Sequence, residues 1–192
     1  YLEETGEGLD VYYKEKKVLS FLDPLPTAIQ HSNLLLSIAL ANRLGISWEN
    51  IKKGIGNVSL PERRFEIVEK SGITFINDSY NACMVSMLAS LNELSRFSGR
   101  RIAILGGMKE LGKFSKEHHA KVFSFAVKNA DVVFFLGEDW KVPVEEDKDQ
   151  ASIFLEREKK LLESKVLKFL RPGDSVLLKG GNSLSLWTII EN

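Results

Sequence analysis

Apolar and polar positions change periodicity along the chain, and the first stretch predicts strands. From Leu9 to Phe21, aromatic and β-branched residues alternate with polar ones around the charged segment Lys14–Lys17. This alternation predicts a β-hairpin. Pro24 and Pro26 follow and end the strand pattern.

Helical spacing replaces the alternation after the prolines. Between His31 and Leu44 the apolar residues recur three and four positions apart, and Gly45 stands where a helix C-cap belongs. A short helix is predicted from Trp48 to Ile55, with Ser47 as its N-cap. The sequence Pro61-Glu62-Arg63-Arg64 then marks a boundary, which predicts one domain over 1–60 and a second over 61–192.

The second part of the chain alternates short apolar runs with helical stretches. Strands are predicted at 65–69, 73–77, 101–105, 132–136, near 153 and at 175–179. Helices are predicted at 87–94, at 115–128 with Ser115 as the cap, at 157–170 and in a last segment that ends at 190, with a charged loop at 145–149. Helices between parallel strands make right-handed crossovers, so we expect an α/β fold with a Rossmann-like, doubly wound, mostly parallel sheet.

Composition limits the classes of function. The chain has 192 residues, 44% hydrophobic and 27% charged, which is enough for a buried core. Its 26 basic and 26 acidic side chains balance, and no basic face is evident, which argues against a nucleic-acid partner. We expect no membrane insertion, because no apolar run approaches the ~18 residues of a membrane span and the first residues show no signal-peptide pattern.

One cysteine, Cys83, excludes an internal disulfide and a cysteine-based zinc site. It fits a reducing compartment, so a cytoplasmic location is expected. No positioned base accompanies Cys83 in the sequence, and a packing role is predicted for it. The chain begins without methionine in the middle of a pattern, and we expect it to be a fragment of a longer protein.

Small and polar residues follow three of the predicted strands. They are Asp78 with Asn81, the segment Gly106–Gly112, and the segment Lys179–Asn182. In an open α/β sheet, ligands bind outside the carboxyl ends of the strands, and an acidic residue there can accept hydrogen bonds from a ribose. Asp78 is therefore a candidate nucleotide ligand, although a helix N-cap or a turn residue would look the same in the sequence.

The other candidate ligand-binding residues also have an ordinary structural explanation. Arg64 can pair with phosphate through its planar fork, or can be an ordinary surface arginine. Arg63 remains an alternative to Arg64, because the pattern does not fix the register of this segment. Asn33 can contact an adenine edge or cap its helix. Backbone amides at Gly180 and Gly181 can approach an anion, or simply form a strand-to-helix turn.

His118 and His119 are predicted to be structural. Adjacent histidines point to different sides of a helix, and no carboxylate lies at a convincing metal-ligand spacing from them.

Taken together, the motifs resemble the Mur ligases in order and spacing. The matching segments are 24–26, 33–35 with Ala39, 64–66, 77–82 with 86–87, 106–112 with Ser115 and His118, and 173–174 with 179–180. An Asp-Ser-Tyr-Asn-Ala element followed by Gly-x-Met-x-Glu-Leu-Gly is typical of the members that add D-alanyl-D-alanine to UDP-N-acetylmuramoyl-tripeptide.

The resemblance implies an ATP-dependent, three-domain amide ligase of peptidoglycan synthesis, which supports cell shape and division. Residues 1–60 would be the end of its central ATP-binding domain, and 61–192 its C-terminal domain. ATP and Mg²⁺ would be required, with the phosphate-binding loop and the magnesium ligands mostly outside this chain, so the fragment alone is expected to be inactive. We expect a monomer whose partners are the UDP-linked tripeptide and D-alanyl-D-alanine.

The resemblance also implies residue roles. Asn33 would contact the adenine, Arg64 the phosphates and Asp78 the ribose of ATP. The dipeptide would be bound by the side chains of Asn81 and Lys179 and by the backbone amides of Gly180 and Gly181.

The chain departs from the family pattern at four places. Ile29-Gln30 replaces His-Asn, Cys83-Met84 replaces Asn-Pro, Gly107 replaces an aspartate, and Gly181-Asn182 replaces Ser-Arg. Because Asn182 replaces an arginine, Lys179 is expected to carry more of the carboxylate recognition.

Three alternatives remain open at the level of sequence. A dinucleotide oxidoreductase needs Gly-x-Gly-x-x-Gly/Ala after its first strand, and the segment 106–111 does not fit that motif. A noncatalytic nucleotide- or peptide-binding domain with the same fold fits the motifs, and so does another Mur-type ligase. The third-position diamino acid of the tripeptide is not specified by any motif.

Overall fold

A computed structural model describes residues 1–6, 8–23, 25, 27–146 and 152–192. The chain forms two compact units, Tyr1–Pro61 and Glu62–Asn192. Pro24, Pro26 and the part of the predicted charged loop at 147–149 lie outside the described residues.

The first unit contains a three-stranded antiparallel sheet of β1 (Leu2–Thr5), β2 (Gly8–Tyr13) and β3 (Lys16–Phe21). The predicted hairpin is β2–β3. Its turn residues Lys14 and Glu15 both have positive φ angles, 48° and 64°, as in the tight turns that match strand twist. Sequence reasoning missed β1, because its residues are largely exposed and polar and show no apolar alternation.

Two helices pack on this sheet, α1 (Ala28–Arg43) and α2 (Trp48–Ile55). The Ser47 hydroxyl accepts a hydrogen bond from the Asn50 N–H, which confirms the predicted cap of α2. Helix α1 begins earlier than predicted, because the Thr27 hydroxyl caps it by accepting from the Gln30 N–H. The core of this unit is formed by buried apolar residues of β2, β3, both helices and the segment before α1: Val11, Leu19, Leu25, Leu34, Ile38, Ile51 and Ile55.

The second unit is built on a six-stranded sheet. Its strands are β4 (Glu66–Lys70), β5 (Ile73–Asp78), β6 (Arg100–Gly106), β7 (Val132–Leu136), β8 (Ile153–Glu156) and β9 (Asp174–Lys179). The spatial order is β4-β5-β9-β6-β7-β8, and every neighbouring pair is parallel except the antiparallel β4–β5 hairpin at one edge. The predicted mostly parallel, doubly wound sheet is confirmed.

Helices cover both faces of this sheet. They are α3 (Met84–Leu94), α4 (Ser115–Asn129), α5 (Lys141–Glu146), α6 (Lys159–Phe169) and the single turn α7 (Thr188–Glu191). Helices α3 and α4 pack on one face, against strand residues such as Ile76, Leu105 and Leu177. Helix α6 and the segment 186–190 pack on the other face, so successive strand residues are buried on alternate sides.

Three helical predictions in this unit are wrong in detail. Ser115 is the first helical residue of α4 and does not cap it, since Phe114 occupies the N-cap position. Glu145 and Glu146 belong to α5 rather than to a loop. The last helix is interrupted: a 3₁₀ turn at Asn182–Leu184 is followed by Ser185 in the left-handed conformation, which a continuous helix cannot contain.

His119 fixes the loop that leaves β6. It is fully buried, donates from Nδ1 to the Ser115 carbonyl at 2.8 Å and accepts the Met108 N–H on Nε2 at 3.0 Å. Its ring packs edge-on against Trp140. This geometry needs the neutral imidazole, and burial lowers the pKa of His119 below its ordinary value of 6.5. The predicted structural role of His119 is confirmed.

Within the part of the chain that the structure describes, no helix combines the length and the apolarity that crossing a membrane requires.

The lowered pKa of His119 makes stability depend on pH. The unfolded chain takes up a proton near pH 6.5 while the folded chain does not, so stability is complete above that pH and falls as the pH drops below it. Replacing His119 with Gln should remove part of this decline. The midpoint temperature of thermal unfolding, measured for both proteins between pH 7.5 and 5.5, reports this loss of stability. An equal fall of that temperature with pH in wild type and H119Q would contradict the role of His119.

Candidate functional site

The three strands at the centre of the sheet end at residues that the sequence singled out. Strand β5 ends at Asp78, β9 at Lys179 and β6 at Gly106. These strands are neighbours in the order β5-β9-β6, and Asp78 pairs directly with Lys179. We call this end of the three strands the carboxyl edge. It brings together the turns after Asp78, Gly106 and Lys179, as expected for a ligand site in a parallel sheet.

A buried ion pair lies at the carboxyl edge. Lys179 Nζ is 2.7 Å from Asp78 Oδ2, and the two side chains are only 3% and 17% exposed. The Ser90 hydroxyl, on α3, donates to the same Oδ2 at 2.6 Å. Asp78 therefore does not cap a helix, and its carboxylate is held by two donors on one oxygen.

Lys179 also bonds to the turn that follows β5. Its ammonium donates to the carbonyl oxygens of Asn81 at 3.0 Å and of Asp78 at 3.4 Å. The Asn81 side chain lies in the same turn, where its Oδ1 accepts the Ala82 N–H at 2.8 Å. Its Nδ2, which can only donate, is the atom that Asn81 can offer to an acceptor on a ligand.

Close packing between two turns accounts for the glycines at positions 106 and 180. A Cβ at Gly106 would lie 2.2 Å from Leu184 Cδ1 and 3.4 Å from the Gly180 Cα, and a Cβ at Gly180 would lie 2.9 Å from Leu186 Cδ1. The two glycines thus let the turns after β6 and β9 approach each other closely. Gly181 has more space, since a Cβ there would have only Ser183 Oγ nearby, at 3.9 Å.

The two adjacent arginines have separate aromatic partners. The exposed Arg64 places its guanidinium 4.2 Å from the ring centre of Tyr80, which belongs to the turn after β5. Arg63 stacks 3.6 Å from the ring of Trp187 and donates to Asn182 Oδ1 at 3.3 Å. The Arg64 side chain therefore lies beside the turn after β5, and the Arg63 side chain lies beside the turn after β9.

Asn33 lies in the first unit, on the second turn of α1, where it is exposed. Asn33 does not cap α1, because Thr27 is the N-cap of this helix.

The predicted packing role of Cys83 is wrong. Cys83 is exposed at the N-cap position of α3, where its N–H donates to the Ser86 hydroxyl at 3.1 Å. Burial raises the pKa of the thiol, but hydrogen bonds with Ser86 and the charge of Lys179 outweigh burial, and the net pKa lies below the ordinary value. The sequence signal for this position was the start of a helix directly after a turn.

No group of three or more His, Cys, Asp or Glu side chains among the described residues is arranged to hold a metal ion.

Comparison with known proteins gives the family. The family model described as "Mur ligase, glutamate ligase domain" matches residues 63–182. A UDP-N-acetylmuramoyl-tripeptide–D-alanyl-D-alanine ligase of Synechocystis is 33% identical over 175 residues, which cover 87% of this chain and 38% of that protein. The Treponema pallidum protein of the same name is 33% identical over 190 residues, which cover 96% of this chain and 40% of that protein.

Solved structures agree in fold. The MurF ligase from Thermotoga maritima in complex with ADP has a TM-score of 0.76 at 22% identity, and covers 99% of this chain and 44% of its own. MurF from Acinetobacter baumannii has a TM-score of 0.84 at 22% identity, over 99% of this chain and 43% of its own.

The chain thus spans about 40% of the length of the curated relatives described above. Since the family model covers most of the second unit, including every strand end at the carboxyl edge, the chain belongs to the Mur ligase family.

Proposed function

We propose that the full-length protein containing this chain is an ATP-dependent amide ligase that joins D-alanyl-D-alanine to UDP-N-acetylmuramoyl-tripeptide in the cytoplasm. The observation that carries the proposal is the carboxyl edge, where a fixed carboxylate, an exposed arginine and two glycine turns meet within a Mur ligase domain. The names of the Synechocystis and Treponema relatives support this choice of substrates. In this proposal, 1–60 is the end of the central ATP-binding domain and 61–192 is the C-terminal domain.

Asp78 is proposed to bind the ribose of ATP. Lys179 and Ser90 both occupy Oδ2, so Oδ1 is the oxygen that can accept hydrogen bonds from the ribose hydroxyls. A carboxylate whose rotation is already fixed loses little entropy when a ligand binds. We assign the phosphates to Arg64, which stacks beside the same turn, and the adenine to Asn33 on the strength of the family resemblance.

The dipeptide is proposed to bind at the turns after β5 and β9. Its carboxylate needs several donors, and Asn81 Nδ2 with the backbone amides of Gly180 and Gly181 can provide them. Lys179 lies between these turns as the cation of the ion pair with Asp78.

The chemistry follows from charge that develops on oxygen. ATP phosphorylates the tripeptide carboxylate, the dipeptide amine attacks the acyl phosphate, and the tetrahedral intermediate collapses to an amide and phosphate. Positioning and electrostatic stabilisation of these oxygens provide most of the rate of such reactions. The described residues contribute by orienting nucleotide and dipeptide, and Mg²⁺ would be held mostly by residues outside this chain.

A second candidate is another ligase of the same family. A UDP-N-acetylmuramate–L-alanine ligase from Agrobacterium fabrum is 29% identical over 209 residues, which cover 97% of this chain and 43% of that protein. The two candidates differ in both substrates. A noncatalytic binding domain of the same fold would bind nucleotide or peptide and release no phosphate.

Ligation by the full-length protein tests the proposal. Phosphate release from ATP should require both UDP-N-acetylmuramoyl-tripeptide and D-alanyl-D-alanine, and mass spectrometry should find the pentapeptide product. Activity only with UDP-N-acetylmuramate and L-alanine would establish the second candidate. Nucleotide binding with no product from either pair would contradict ligase activity.

The 192-residue chain by itself should release no phosphate under the same conditions. It contains no Gly-x-x-Gly-Lys-Thr/Ser sequence, and that motif is what cradles the phosphates of ATP. Circular dichroism serves as the control that the chain is folded. Substrate-dependent phosphate release by the folded chain would contradict this expectation.

Replacing Asp78 with Asn in the full-length protein should raise the KM for ATP more than the KM for the dipeptide. The change keeps the shape but removes the charged acceptor, which costs about 1–3 kcal/mol, or on the order of 10- to 100-fold. The matched control is Asp131→Asn, because Asp131 pairs with Arg101 at the opposite end of the sheet. A raised KM for the dipeptide with an unchanged KM for ATP would assign Asp78 to dipeptide binding.

A further inference from the structure

Lys179 carries a buried positive charge at the last position of β9. Because its side chain is 3% exposed, water cannot balance the charge, and the chain must do so. It has three acceptors, namely Asp78 Oδ2 at 2.7 Å, the Asn81 carbonyl at 3.0 Å and the Asp78 carbonyl at 3.4 Å. An ammonium group has three protons, so these acceptors use its full donor capacity.

A direct bond to substrate would therefore have to replace one of these contacts. Breaking the bond to Asp78 would leave a partly buried carboxylate with one donor, and breaking the bond to Asn81 would release the turn. Both losses are costly in a poorly solvated place. A direct bond from Lys179 to the dipeptide carboxylate, which the sequence led us to expect, would therefore carry this free-energy cost.

The three acceptors belong to the two ends of one turn. Asp78 is the last residue of β5, and Asn81 lies three residues further on. One cation from β9 thus fixes both the carboxylate at the start of the turn and the backbone at its end. Ser90 adds a second donor to Oδ2 from α3, so the carboxylate is held from a strand and from a helix.

We propose that Lys179 is a positioning residue, which fixes the Asp78 carboxylate and the turn 78–81 and thereby sets the affinity of the site for adenine nucleotide without contacting substrate. This inference rests on the proposed function. It predicts that loss of Lys179 weakens nucleotide binding even when no dipeptide is present. If Lys179 bonded only to the dipeptide, its loss would leave nucleotide binding unchanged.

The chain offers a matched control at the opposite end of the same strand. Asp174, the first residue of β9, is 1% exposed and forms a bidentate ion pair with Arg100, with bonds of 2.9 Å and 2.8 Å. Arg100→Met therefore removes a cation from another buried ion pair of β9, far from the carboxyl edge. If Arg100→Met does not fold, Arg101→Met replaces it, since its partner Asp131 is also at the amino end of the sheet.

The experiment measures the Kd of ADP for the full-length protein by calorimetry, without dipeptide. Lys179→Met should raise this Kd by about 3- to 30-fold, the usual range for a residue that acts through a neighbour. Arg100→Met should change it less than about twofold. In an Asp78→Asn background, Lys179→Met should add less than about twofold, because its effect passes through the carboxylate that is already lost.

A second readout needs no ligand. Hydrogen exchange should quicken at the backbone amides of 79–82 in Lys179→Met and stay at the wild-type rate there in Arg100→Met, because only the first variant releases the turn. A purely structural role would raise exchange across the whole sheet in both variants.

The outcomes separate the two hypotheses. An unchanged Kd for ADP with a raised dipeptide KM in Lys179→Met would overturn the inference and show a direct contact. Equal losses in Lys179→Met and Arg100→Met would overturn it in favour of general stability. If wild-type protein binds ADP and ligates, such results count against the inference alone, whereas a wild type that binds no adenine nucleotide overturns the proposed function and this inference with it.

Discussion

Strand β9 is the last strand in the sequence, yet it lies in the centre of the sheet between β5 and β6. All six of its residues are buried, and the first and last of them are charged. Arg100 neutralises Asp174 at one end, and Asp78 neutralises Lys179 at the other. Charges in such surroundings are tolerated only when they are paired, so both ends of β9 have a defined register against their neighbours.

This constraint assembles the candidate site. Asp78 and Lys179 are far apart in sequence and meet only when β9 pairs with β5. The contact between Gly106 and Gly180 depends on the same insertion, because it needs β6 on the other side of β9. His119 then holds the loop after β6 at Met108. The turns at the carboxyl edge are thus fixed by contacts within the protein before any ligand binds, which is the arrangement that positioning catalysis requires.

Local signals in the sequence were sufficient for the six strands and for most of the helices of the second unit. Apolar runs of strand length separated by helical stripes leave few folds other than a doubly wound sheet. They did not predict strand order, because the placement of β9 between β5 and β6 is decided by long-range pairing. Strand β1 and helix α5 were missed because their local patterns are weak. Strand β1 is largely exposed and polar, and α5 is a short helix whose last two residues are acidic.

The candidate site was predictable in its positions and not in its internal bonds. Asp78, Asn81 and Lys179 were identified as residues that follow strands, and a parallel sheet brings such residues to one edge. Spacing along the chain could not show that Lys179 is buried and bonded at both ends of the Asp78 turn, or that Tyr80 and Trp187 provide separate platforms for Arg64 and Arg63. Those facts depend on side-chain packing between distant segments.

The central claim is that Asp78, fixed by Lys179, presents one carboxylate oxygen to a nucleotide. A crystal structure of the full-length protein with bound ADP tests it most directly. We predict that a ribose hydroxyl lies within hydrogen-bond distance of Asp78 Oδ1, while Lys179 Nζ stays bonded to Asp78 Oδ2 and to the Asn81 carbonyl. A ribose bound elsewhere, or a Lys179 that leaves Asp78 to contact a ligand, would contradict it.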